Sequence, residues 1–356
     1  ICSPYNAFSP AFIFDTTKYH FTTGFAGAYG TITQEKASDF YRALTAILNS
    51  TLSQFFMEQT STPMQGNYFS YEKRFIKNIP LSLTKYTTSE EERATSAQNL
   101  VQYADSIVFD GEDKSAIQNQ VRELCEAEEG VEAIYYALSE LCSNIAEVKG
   151  ERQQLNLELL DYIGTYSDAE NLGQLSGYQP PSGVSDSILA ETSKTRDNLR
   201  VGEVDVELTN NKVQILATAR YKPKNEENYE TDRWGYTETE PFPAMEFIGL
   251  SDSKQELVLE FVPRAVEKGD GFADFRDTAT KTNSLIDRIK ALNLPKVADV
   301  EEGLNQYLEA KARDEELQTQ LDRAYGLVDE IVYTLYDLNE EEIQAIESNL
   351  INERGK

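Results

Sequence analysis

Histidine, cysteine and tryptophan are scarce in this chain of 356 residues, which holds one, three and one of them. Cys2, Cys125 and Cys142 are too few and too scattered for a disulfide framework. With His20 they offer no zinc spacing. Cys125 and Cys142 each follow a leucine in helical sequence and read as core or half-buried thiols in a reducing cytoplasm. His20 sits between aromatics with no nucleophile elbow to serve, so it reads as structural. There is no P-loop, and Gly24, Gly27 and Gly30 lack the strand-to-helix setting of a dinucleotide fingerprint. No apolar run approaches about 18 residues, so nothing spans a membrane. The start carries no signal peptide, and because it begins at Ile1 without methionine we expect a piece of a longer polypeptide.

Positive charge is also scarce. Lysine and arginine number 33 against 61 aspartates and glutamates, a net of −28. That sign is wrong for a typical nucleic-acid binder, but the distribution matters more. Residues 1–86 hold seven bases and five acids, so all of the excess acid lies in 87–356. Two readings fit acid spread over helical faces. One is the hydrated surface of a protein from an extreme halophile, where salt screens charge over a few ångströms. The other is an acidic mimic of DNA.

Catalytic signatures are missing as well. A PD-(D/E)xK nuclease needs a lysine two residues after an acid on a strand. Glu207 is followed by Leu208 and Thr209, and Glu256 and Glu260 are followed two places on by Val258 and Val262. Gln179-Pro180-Pro181-Ser182 superficially matches the catalytic turn of adenine methyltransferases, but it lacks the ring that stacks on the base.

The residues that are present divide the chain. Residues 1–86 contain 17 of the 37 aromatics. Phe12-Ile13-Phe14 and Tyr19-His20-Phe21 read as short strands around a turn at Asp15-Thr16-Thr17, and 36–59 reads as a helix. From Ser89 the sequence turns helical and acidic. Ile134, Leu138, Leu141, Ile145 and Val148 keep a heptad phase that Leu155, Leu159 and Tyr162 continue. This is either a coiled-coil arm or one helix of a bundle. Residues 172–187 read as a Gly/Pro/Ser linker. In 199–262, Val204, Val206 and Leu208 alternate up to a turn at Asn210-Asn211, and Val213, Ile215, Ala217 and Ala219 return. Arg220, Tyr221, Lys222 and Lys224 end that strand as a basic aromatic cluster, before a polar loop holding Trp234 and Tyr236. Phe247-Ile248 and then Leu257, Leu259 and Phe261 suggest further strands. Residues 278–352 read as helical, with a second heptad run from Leu317 to Leu335. We expect the two heptad runs to pair antiparallel. Asn339 and Glu342 have the spacing of a capping box.

Residues 44–81 carry the strongest signal. Ile47, Leu48, Asn49, Ser50, Leu52, Phe55 and Phe56 precede a polar break. Gly66, Tyr68, Phe69, Tyr71, Lys73, Phe75, Ile76, Lys77, Ile79 and Pro80 follow it. The pattern resembles the C-terminal specificity domain of TaqI-like DNA methyltransferases and fused restriction-modification enzymes. Asn67, Ser70 and Arg74 depart from it, standing where that family has a glycine, an arginine and a glutamine or a similar residue. The run from Val328 to Glu347 resembles the closing segment of the same fused enzymes.

The residues and the resemblance together predict an α+β chain. Its parts are a target-recognition domain (1–86), a helical spacer (87–171), a linker (172–190), a β-rich subdomain (191–270) and a helical, coiled-coil-like region (271–356). The resemblance implies a DNA adenine methyltransferase or restriction-modification enzyme whose upstream part binds S-adenosylmethionine and methylates adenine N6. This segment would hold no cofactor and no catalytic residue, and it would select the sequence on double-stranded DNA in the cytoplasm. The expected DNA-contacting residues are Asn67, Ser70, Tyr71, Lys73, Arg74 and Lys77, which interleave rings with cations able to meet phosphates and base edges. The competing expectation is an acidic coiled-coil scaffold that binds protein.

Overall fold

A computed structural model describes residues 1–4, 6–14, 25–27, 37–64, 68–81, 87–105, 111–166, 168–225, 228–269, 272–274 and 282–354. The expected strand at 19–21, the turn at 15–17, His20, Gly24, Gly30, Gly66 and Asn67 lie outside these residues. The fold is α+β, mainly helical with several small sheets. It divides into two compact units. One comprises Ile1–Leu155 with Arg313–Lys356, and the other Asn156–Ala312.

The first unit opens with strands β1 (Cys2–Pro4), β2 (Asn6–Ala7) and β3 (Phe25–Gly27) and helices α1 (Ala37–Leu48) and α2 (Thr51–Thr60). Strands β4 (Pro63–Met64) and β5 (Tyr68–Ser70) and the single turn α3 (Lys73–Ile76) follow. Helices α4 (Glu90–Asp105), α5 (Gly111–Glu126) and α6 (Gly130–Gln154) come next. β2, β5 and β4 form an antiparallel sheet in that order.

The single helix expected over 36–59 is broken at Asn49-Ser50, for a local reason. The Asn49 amide leaves the helix to pair with the backbone of Phe12, donating to its carbonyl and accepting from its N–H, each at 2.8 Å. Ser50 then caps α2 by accepting from the Ser53 N–H at 3.3 Å. Beneath these helices Ile47, Leu100, Val121, Ile134, Leu138 and Leu141 share one core, and Phe40 stacks on the buried Tyr135. Each such aliphatic side chain contributes roughly 2 kcal/mol relative to leaving it in water. A smaller core of Phe12, Leu48, Met57, Phe69, Tyr71 and Ile79 supports the β2-β5-β4 sheet.

The second unit contains α7 (Leu159–Ile163), β6 (Ala169–Asn171), β7 (Tyr178–Gln179), β8 (Arg200–Thr209), β9 (Lys212–Tyr221), β10 (Thr237–Glu238) and β11 (Phe242–Ile248). Helices α8 (Asp252–Lys268) and α9 (Leu285–Lys290) and strand β12 (Asn293–Pro295) complete it. β9 is the hub of the sheet, pairing with β8, β10 and β11, while β11 pairs with β7. The β8–β9 hairpin has the expected two-residue turn. Thr209 faces Lys212, and Asn210 and Asn211 take φ of 50° and 62°. Positive φ at both turn residues matches the right-handed twist of the strands, and asparagine tolerates it.

Two expectations fail in this unit. Leu257, Leu259 and Phe261 do not form a strand but lie in α8, which packs on β8. Leu257, Val258, Phe261, Val262, Ala265 and Val266 are all buried, which is a helical stripe. Residues 172–190 are not an open linker either. Leu172, Leu175 and Leu189 enter the core, and Tyr178-Gln179 pairs with β11. Gly177, at φ 85°, brings its backbone so close to Ile248 that a Cβ would lie 2.1 Å from the carbonyl oxygen.

The chain ends in α10 (Val297–Leu335) and α11 (Glu340–Arg354). In the first unit, α10 from Arg313 onward runs antiparallel to α6, as expected of the two heptad runs. Arg152 pairs with Asp314 at 2.5 Å, and three residues earlier on α6 Lys149 lies over the Tyr325 ring, further along α10. Leu321, Val328 and Ile331 join the α6 core. The seam stops short of Tyr162, because α6 ends at Gln154 and Leu155 is extended. Asn156 accepts from the Glu158 N–H at 2.9 Å, a local bond that competes with helix continuation. The capping box closes as expected. The Asn339 N–H donates to Glu342 at 2.9 Å, and the Glu342 N–H to Asn339 at 3.1 Å.

Candidate nucleic-acid interface

The expected contact residues lie along the strand-to-helix step from β5 to α3. Tyr68, Phe69 and Ser70 follow one another on a strand, so their side chains leave opposite faces in turn. Phe69 turns inward, and Tyr68 remains 48% exposed. Its register partner on β4, Met64, is likewise exposed, as is Phe8 just beyond β2. Beyond the strand, Arg74, Lys77 and Asn78 are exposed on and after α3. The Asn78 amide donates to the Arg74 carbonyl at 2.9 Å and closes that turn.

Two of the six expected residues are not on this surface. Tyr71 is fully buried against Phe12, edge to face at 5.9 Å. Burial and, secondarily, the Glu58 carboxylate push its phenol far above the ordinary range. Ser70 is buried too, and its hydroxyl donates to Glu72 at 3.2 Å. Tyr71 fills the small core under the sheet, while Ser70 is turned to the Glu72 carboxylate. Lys73 opens α3, and its side chain, like the whole of Asn67, lies outside the described residues. Arg74 and Lys77 stay available. Arg74 is held in place by Glu72, which accepts from two of its nitrogens at 3.0 Å, and by the Phe75 ring at 4.7 Å.

The surface is braced from behind by the other end of the sequence. Asp329 on α10 accepts from the Thr51 N–H at 2.7 Å and from its hydroxyl at 2.5 Å, across 278 residues of chain. It thus satisfies the opening of α2, where a carboxylate also suits the helix dipole. Tyr336 donates to the Pro80 carbonyl at 2.6 Å. The segment 44–81 and the closing segment near 328–347 therefore meet at two places, Thr51 and Pro80. Burial pushes the Asp329 carboxyl up to about 6, against the Thr51 hydrogen bonds and with help from Glu347 and Glu330. Sequence reasoning named both segments but not this contact. Asp329 directly follows the heptad residue Val328 and lies off the apolar seam, so the pattern gave no sign of it.

A second tie holds the following segment. Glu132, 3% exposed, accepts from the N–H and hydroxyl groups of Thr87 and Thr88. Burial raises its carboxyl, and these four bonds outweigh that and leave it below the ordinary range. Among the described residues no group of histidines, cysteines and carboxylates is arranged to hold a metal. No described helix is long and apolar enough to cross a membrane. No family model, curated protein or solved structure matches the chain.

Proposed function

We propose that this chain is the target-recognition part of a DNA adenine methyltransferase or fused restriction-modification enzyme acting in the cytoplasm. The observation that carries the reading is the meeting of its two motif segments. The Thr51–Asp329 and Tyr336–Pro80 bonds join them from opposite ends of the sequence. The outward face then presents Tyr68, Arg74, Lys77 and Asn78 on one short strand-turn unit. Lys77 supplies a phosphate contact, and Arg74, aimed by Glu72 and Phe75, a fork for a guanine edge. S-adenosylmethionine binding and methyl transfer belong to an upstream part of the polypeptide, and the ligand of this part is double-stranded DNA.

Replacing Tyr68 and Arg74 with alanine tests this, because both are exposed and neither enters a core. Specific duplex binding should weaken by about tenfold or more, at the scale of one lost base contact. Unchanged binding would place recognition elsewhere. Failure of the unaltered chain to bind any duplex would favour the acidic scaffold.

A further inference from the structure

The second unit carries a cluster that the recognition face does not use. Asp232 to Tyr236 form a tight turn on the loop before β10. The Asp232 carboxylate accepts from the Trp234 N–H at 2.8 Å and the Tyr236 N–H at 2.9 Å. The backbone closes the same turn, Asp232 N–H to the Tyr236 carbonyl at 2.8 Å and Gly235 N–H to the Asp232 carbonyl at 2.9 Å. Gly235 takes φ 77°, which a side chain would strain. The turn holds Trp234, the only tryptophan of the chain, 57% exposed. One face of its indole is covered by the Arg233 guanidinium at 3.9 Å.

Cations converge beside it. Arg200 and Arg220 are direct cross-strand partners, an arrangement that repels unless something offsets it. Arg220 is neutralised by Asp232. Arg200 and Lys222 have no carboxylate partner among the described residues, and they lie over the Tyr236 ring at 4.2 and 4.9 Å. Arg233 likewise lacks one. The Arg200 Nε is buried without a hydrogen-bond partner, a donor left unsatisfied. Three cations with no carboxylate partner among the described residues thus stand near a rigidly presented indole.

We propose that this turn is a nucleic-acid contact in which Trp234 stacks on an unpaired base while Arg200, Lys222 and Arg233 meet the flanking phosphates. Cations without a carboxylate partner among the described residues suit an anionic ligand. The ring, already covered on one side by a guanidinium, offers its other face to a flat one, and single-stranded nucleic acid combines both. Bases inside an intact duplex are already stacked, so the ligand is a strand end, bulge or displaced strand. The site shares no residue with the recognition face, and each can fail without the other.

The lone tryptophan gives a direct readout. The unmodified chain is titrated with a single-stranded oligonucleotide, an intact duplex and heparin, with indole fluorescence recorded. The proposal expects quenching by the single strand, and much less by the duplex or heparin. Binding of a labelled single strand, read by anisotropy, should weaken about tenfold or more in Trp234→Ala and be largely kept in Trp234→Phe. Equal quenching by heparin would reduce the site to charge attraction and overturn the stacking claim. No quenching by the single strand would overturn the site, even if the chain still bound duplex through Tyr68 and Arg74.

Discussion

Replacing Asp329 with asparagine should make the first unit more stable at neutral pH and leave it nearly unchanged near pH 4. The carboxyl is raised from an ordinary 3.8 to about 6 in the fold, chiefly by burial and then by Glu347 and Glu330. A group whose folded pKa lies above its unfolded value holds its proton more tightly when folded, so its contribution to stability falls as pH rises between the two values. Two pH units correspond to roughly 3 kcal/mol. Asp329 keeps part of its surface in solvent, which screens the penalty, so we take about 2 kcal/mol. Asparagine preserves the geometry. Its carbonyl accepts from the Thr51 N–H, and its amide donates to the Thr51 hydroxyl. Near pH 4 the folded carboxyl is protonated, so aspartic acid and asparagine both make neutral hydrogen bonds to Thr51 and the two stabilities are close. Urea unfolding followed by circular dichroism at intervals from pH 4 to 8 gives the difference between variant and parent. That difference should move in favour of asparagine by about 2 kcal/mol over the range. A flat difference, or one that moves in favour of aspartate as pH rises, would show that the Thr51 bonds and the helix opening outweigh burial.

Glu132→Gln should lose roughly 1 to 3 kcal/mol at neutral pH, since four hydrogen bonds converge on a buried carboxylate. Its carboxyl is depressed in the fold, so this contribution is present above the ordinary carboxylate range and disappears as pH falls through the folded value. Unfolding curves of parent and variant should therefore converge in acid. Asn211→Val should cost about 1 to 2 kcal/mol, because a β-branched residue resists φ of 62°, while Asn211→Gly should be close to neutral in the same urea assay. Glu72→Gln should lower duplex affinity roughly twofold to fivefold by loosening the carboxylate hold that aims Arg74, measured by anisotropy at fixed salt.

What could be read from the sequence was whatever rests on short-range chemistry. The Asn339–Glu342 box and the Asn210-Asn211 turn are each fixed by a few adjacent residues, and both formed where expected. The paired heptads were legible because both periods end in the same apolar core. What failed depended on distant partners. Leu257, Leu259 and Phe261 alternate by two, and only the sheet beneath α8 shows that Val258 and Val262 belong to the same buried face. The Gly/Pro/Ser stretch looked like a linker because its three buried leucines are spaced too irregularly to show a period. Within the candidate site, Arg74 and Lys77 were named for their charge, and both are exposed. Tyr71 was misplaced because an aromatic beside cations fits a surface as well as a core, and only Phe12, far away in sequence, decides between them. The Arg200 side of the second cluster was invisible for the same reason, since strand register brings it to Arg220.

We propose that this chain selects a DNA sequence through the face carrying Tyr68, Arg74 and Lys77. The most direct measurement is selection from a randomised duplex pool by the unaltered chain, at low and at high salt, followed by sequencing of the bound fraction. One enriched motif should persist as salt rises, because base-edge contacts depend on salt less than phosphate contacts do. The motif should be lost in the Tyr68→Ala, Arg74→Ala double variant. A bound pool with no enriched sequence, or no bound pool at either salt, would contradict the proposal.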